Sequence, residues 1–167
     1  MSTTQTAVVK ASIAVVAKKG LDGRDVVDRI PDLADITLSY GAGYGKADIA
    51  FSDDRALSAS GSENLDMSGV LVDAFGATIT AAKVKAILID NLESSQGTLT
   101  VGAAASNTFN GPFSGATHSI DLKPGDRAVF VSRTGWTVTA ATGDILKVAN
   151  SAAGSANYRI TLVLASA

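Results

Sequence analysis

His118 is the only imidazole in the chain and cysteine is absent, so the side chains that most often do chemistry are scarce. The turn Pro124-Gly125-Asp126 also occurs in small barrels that hold a catalytic metal, but such barrels gather several neutral imidazoles on one ion. A lone histidine between Thr117 and Ser119, at the start of a strand, reads as a surface residue. The turn has its own reason to exist. Proline presets the first turn position, glycine supplies positive φ, and aspartate caps the returning backbone. A serine nucleophile would have only His118 as its base, and "GPFSG" (111–115) sets the serine one position late for a nucleophile elbow.

The remaining templates fail in similar ways. "GAGYGKA" (41–47) lacks phosphate-loop spacing and offers Ala47 where a magnesium-binding hydroxyl would stand. Asp66, Asp73, Asp90, Glu93, Asp121, Asp126 and Asp144 supply carboxylates, but most fall in turns, where aspartate hydrogen-bonds backbone. A glycosidase needs two opposed carboxylates in a cleft, usually with aromatic platforms. Asp53-Asp54 and Asp90 with Glu93 are candidates for weak calcium binding, yet neither follows an EF-hand pattern, and solvated loop carboxylates are the simpler account. Trp136 could stack on a sugar, although a single tryptophan beginning a strand more often serves core or interface. These residues point to no catalytic group, no cofactor and no metal, and the chain is expected not to be an enzyme.

Composition bounds the partners. A formal net charge of -2 provides no basic face for nucleic acid. No apolar run reaches the length of a membrane helix: "AVVKASIAVVA" (7–17) is too short and carries Lys10. The start, MSTTQT, lacks the basic segment of a signal peptide. Charged residues make up 18% against about 25% in an average domain, and Gly, Ala, Ser and Thr take their place, which suits close sheet stacking.

The elements that would position any site are strands. From residue 48 onward, short runs alternate apolar and polar residues at spacings of about 8 to 14, separated by Gly, Asn, Ser and Pro clusters. Ile49 and Phe51 share a face before an Asp53-Asp54 corner. Leu65 pairs with Met67, Leu99 with Val101, Ile120 with Leu122, and Ile160, Leu162 and Leu164 run in step. Val84, Ala86 and Leu88 fall on one face and Ile87 and Ile89 on the other, so this strand is covered on both sides. The pattern predicts an all-β fold, an antiparallel β-sandwich or jelly-roll-like barrel, over residues 48–167. "GVLVDAFGATITAAK" (69–83) reads as a loop or a short strand pair. Residues 1–47 read as an N-terminal extended arm. Within it, Val26, Val27 and Ile30 allow either a short helix ending before Pro31 or a strand and loop, and "GAGYGKAD" (41–48) reads as a flexible connector.

"DRALSASGSENLDMSGVLVDAFGATITAAKVKAILIDN" resembles a segment of an uncharacterised family of tailed-bacteriophage and prophage virion structural proteins. The resemblance rests on Arg55, Leu57, Leu65, Asp66, Asp73, Ala74, Phe75, Gly76, Lys83, Val84 and Lys85. It continues through "VGAAASNTFNGPF", "LKPGD", "GWTVTAATGDILKVANSAAG" and the last strand, covering about 53–164. "HSIDLKPGDRAVF" departs from it, with a more charged turn than the apolar Pro-Gly-Gly of relatives. The resemblance implies a part made in the host cytoplasm and incorporated into the virion.

An apolar arm beside a small sandwich suits a capsid decoration or cement protein that binds the major capsid protein and neighbouring copies of itself, as an oligomer on the capsid surface. Nucleic acid and membrane are not expected partners. The arm contacts are assigned to Val8, Val9, Ile13, Val15 and Val16, with Trp136 as a further partner-binding residue. A tail, neck or fibre-base part is the alternative. A carbohydrate-binding module using Trp136 and Tyr158 is a third possibility.

Overall fold

The computed structural model describes residues 6–10, 15–21, 24–30, 35–151 and 153–167; within 15–30 only the backbone is described. An N-terminal region holds β1 (Ala7–Val9), β2 (Val15–Leu21), β3 (Arg24–Ile30), β4 (Ile36–Tyr40) and β5 (Lys46–Ala47). The rest holds β6 (Ile49–Leu57), β7 (Ser62–Asp66), β8 (Ser68–Val72), β9 (Thr78–Thr80), β10 (Lys83–Asn91) and β11 (Leu99–Gly102). A 3-10 turn at Gly111–Phe113 follows, then β12 (Ser119–Leu122), β13 (Arg127–Thr137), β14 (Ile145–Asn150) and β15 (Ala156–Ala165).

Two antiparallel four-stranded sheets face each other, in the orders β13-β10-β15-β6 and β12-β11-β14-β7. With the β8–β9 hairpin set aside, successive strands switch sheets at every step except β11 to β12, which is the winding of an eight-stranded jelly roll. The two sheets share no paired strands, so the fold is a sandwich and not a barrel. Leu65, Ile87, Ile89, Leu99, Leu146, Tyr158, Ile160 and Leu162 fill the space between them, each essentially without solvent contact. Burying one such side chain contributes about 1.5–3 kcal/mol, so this interior is the main source of stability.

Two local expectations change and two open readings are resolved. Lys85 sits at a β-bulge between Val84 and Ala86, where the pairing with both β13 and β15 shifts. The extra residue puts Val84 on the core face with Ile87 and Ile89, while Ala86 packs on the outer face. The sequence has no Asp53-Asp54 corner in this fold. β6 runs straight through both residues, because Arg55 takes Asp53 and Arg159 takes Asp54 along the strands. Residues 24–30 form no helix: β3 pairs with β2 from Leu21↔Arg24 to Val15↔Ile30. The 69–83 segment is the strand pair, β8 with β9.

Residues 36–47 lie on the outer face of the β10 sheet as a third layer. β4 pairs with β1 and, in parallel, with β5, and Leu38 and Ala47 pack with Ala86 and Val163. The glycine-rich 41–48 stretch is not a slack connector. Gly45 N donates to Arg133 O at 2.9 Å, Ser39 N to Gly45 O at 3.1 Å and Asp48 N to Leu164 O at 3.2 Å. Its glycines supply turn geometry, with Gly43 at φ 99° and Gly45 at φ 68°.

Candidate functional site

The Pro124-Gly125-Asp126 corner is held by backbone geometry. Asp126 N donates to Lys123 O at 2.9 Å, and Gly125 at φ 86° takes the left-handed position that a type II turn requires. The Asp126 carboxylate accepts from Lys123 N at 2.8 Å. Buried Asn91 ties the corner to β10, donating from Nδ2 to Leu122 O at 2.8 Å and to Gly97 O at 2.9 Å. His118 is exposed, and its Nδ1 donates to Phe113 O at 2.8 Å. Among the described residues no three His, Cys, Asp or Glu side chains converge as a metal site would require.

The acidic residues of β6 are taken up by arginines. Arg159 holds Asp54 through two bonds of 2.6 and 2.8 Å, and that guanidinium keeps the Asp54 carboxyl below the usual carboxylate range. Arg55 bridges Asp53 and Glu63, at 2.8 Å each. Glu63 Oε1 accepts from the buried Tyr158 hydroxyl at 2.6 Å. Burial, followed by that bond to Glu63, pushes the Tyr158 phenol well above its ordinary value. This network joins the edge strands of the two sheets, and its residues serve one another.

Lys85 is the other unusual charge. The β10 bulge turns it away from the main core, and it is fully buried beneath the 41–45 loop. Its ammonium donates to Thr134 O at 2.7 Å, Gly43 O at 2.8 Å and Arg133 O at 3.2 Å, which satisfies all three donors. Burial, with a smaller push from Lys83, lowers its affinity for the proton. Gly135, at φ 84°, leaves room for the lysine stem: a Cβ there would meet Lys85 Cδ at 2.9 Å. Lys85 thus clamps the N-terminal layer to β13.

Among the candidates whose side chains are described, Val8 and Val9 lie in β1 and Trp136 in β13. Val8 is 51% exposed and pairs with Thr37, while Val9 turns inward onto the Ala86–Val163 cluster. Val15 and Val16 start β2, opposite Ile30 and Arg29. Ile13 lies outside the described residues. Trp136 pairs with Val84 and packs, half-buried, against the main core, so it belongs to the sandwich and not to the arm surface. Val8 and Val9 do line an apolar groove on the outer sheet face, with Ala86, Leu88, Val129 and Val163 and a volume of about 250 Å³. Beside it β1 pairs on one side only, with β4, among the described residues.

A feature absent from the sequence candidates stands at the β8–β9 tip. Phe75 is 84% exposed, beside Val70 at 69% and Val72 at 52%. The tip is ordered by Asp73, whose Oδ1 accepts from Phe75 N and Ala77 N, both at 2.9 Å. "DAFGA" carries the signal for this, an Asx turn closed by glycine around an aromatic residue. No family model matches the chain, and no curated protein matches it either.

Proposed function

We propose that this chain is a structural protein of a tailed-bacteriophage virion that decorates the head, binding and stabilising the lattice of the major capsid protein. The observation that supports this most is the incomplete pairing of the N-terminal region. β2 and β3 make a two-stranded sheet by themselves, and β1 has a free edge, among the described residues. An isolated hairpin is marginally stable in water, and a free strand edge is a template for strand addition from another chain. A neighbouring subunit that pairs with these edges would supply the missing hydrogen bonds. Repetition over a lattice then makes many modest contacts hold firmly.

The sequence resemblance over 53–164 points to the same class, and the apolar arm and rigid sandwich divide the labour expected of a cement protein. The half-buried seat of Trp136 weighs against its use as a sugar platform. Two deletions test the proposal: one of residues 1–20, and one of residues 15–30 that leaves β1 and β4 in place. Both variants are expected to melt cooperatively and to lose binding to undecorated heads. Full occupancy by either folded variant sinks the proposal. A count of six or twelve copies per particle moves the protein to the neck or tail.

A further inference from the structure

The β8–β9 tip, where Phe75 stands in solvent, and the apolar groove beside β1 share no residue. Phe75 is exposed on a turn already ordered by Asp73, and Val70 and Val72 are exposed on the adjoining strand β8, about 300–400 Å² in all. Little conformational freedom would be lost when such a knob docks. The groove is an apolar hole of about 250 Å³. About 150 Å³ is enough to hold benzene, so a phenylalanine ring has room. We propose that Phe75 of one copy seats in the groove beside β1 of a second copy.

Charge favours this pairing. Asp48 and Asp73 line the hollow next to Phe75, and neither has an ion-pair partner among the described residues. Lys10 stands at the groove with its side chain 70% exposed, engaged among the described residues by Asp35 in a surface pair that exchanges partners at little cost. The contact is head-to-tail. Each copy offers its knob to one neighbour and its groove to another, which builds a ring or an open array and not a two-fold dimer. Both sides together would bury at most about 600–800 Å², below the roughly 1,200 Å² of a stable complex. Isolated copies therefore meet transiently, and the contact persists where many copies are held side by side. A strand added at the free edge of β1 would compete with this self-contact for the groove, so a failure of the virion proposal leaves the self-contact untouched and the trap is run on the isolated protein.

The cysteine-free chain allows a direct trap. Ala74→Cys, next to the knob, and Val129→Cys, in the groove, are placed on separate full-length chains of different tag size, mixed and oxidised. The mixed disulfide is expected to form at least about tenfold faster than the pair of Ala74→Cys with the exposed control Ala105→Cys. Adding Phe75→Ser to the Ala74→Cys chain is expected to return the rate to that of the control. A mixed rate equal to the control overturns the proposal. So does a dominant Ala74→Cys homodimer, which would mean a face-to-face contact, or a rate that Phe75→Ser leaves unchanged.

Discussion

Replacing Lys85 with methionine tests whether a buried ammonium holds the N-terminal layer to the sandwich. Methionine keeps most of the apolar stem and removes the charge. Lys85 makes two short bonds, to Thr134 O at 2.7 Å and Gly43 O at 2.8 Å, and a longer one to Arg133 O at 3.2 Å. Hydrogen bonds from a charged donor contribute about 1.5–3 kcal/mol each, so the two short ones alone give about 3–6 kcal/mol. Two effects oppose this. The variant no longer buries a charge, which costs several kcal/mol per ion. The three carbonyls also belong to exposed residues, where water can replace the ammonium. The balance leaves a loss of about 1–3 kcal/mol, or about 2–12 °C in Tm for a chain of this size. The location of the loss is more diagnostic than its size. Amide exchange is expected to quicken at Ser39 and Gly45, whose N–H groups tie the loop, and to stay slow at Ile160 in the core. An unchanged Tm with unchanged exchange at Gly45 refutes the clamp. Equal quickening at Gly45 and Ile160 makes Lys85 a core residue instead.

Three further outcomes follow from the same geometry. Gly135→Ala forces a side chain into positive φ and against the Lys85 stem, and is expected to lower stability by about 1–3 kcal/mol in urea unfolding; a neutral result contradicts the tight seat. The Tyr158 phenol is raised in the fold, so above about pH 10 the unfolded chain loses this proton first and stability falls as pH rises, by up to about 1.4 kcal/mol per pH unit. Tyr158→Phe is expected to remove that component between pH 10 and 11.5, and an unaltered slope would show that another group carries it. Phe75→Ser is expected to change folding stability by less than about 0.5 kcal/mol, because the ring is almost wholly in solvent; a larger loss would show that Phe75 supports the fold.

The sandwich was legible because antiparallel strands with one face in the core carry a period of two. Ile160, Leu162 and Leu164 read correctly, and Tyr158 and Ala156 extend their row. The bulge at Lys85 was hidden. One added residue inverts the faces after it, and no residue type announces it in a run as apolar as "KVKAILID". Aspartates suggested a corner at 53–54, whereas cross-strand Arg159 and nearby Arg55 let both remain in a strand, and those partners are distant in sequence. The Lys85 clamp joins residues more than forty apart, which no local pattern reveals. The alternation of Val8 and Val9, one outward and one inward, comes from pairing to β4, which a run of valines does not announce. Phe75 was visible as a residue and not as a surface, since hydrophobicity alone cannot say that a hairpin will hold a ring in solvent.

The central proposal is tested most directly by a reconstruction of the intact phage particle whose genome encodes this chain. The expected result is density for the jelly roll on the outside of the head, repeated across the lattice, with the 7–30 segment pairing onto an adjacent subunit. Particles that lack the protein, or that carry it only at the neck or tail, would contradict the proposal.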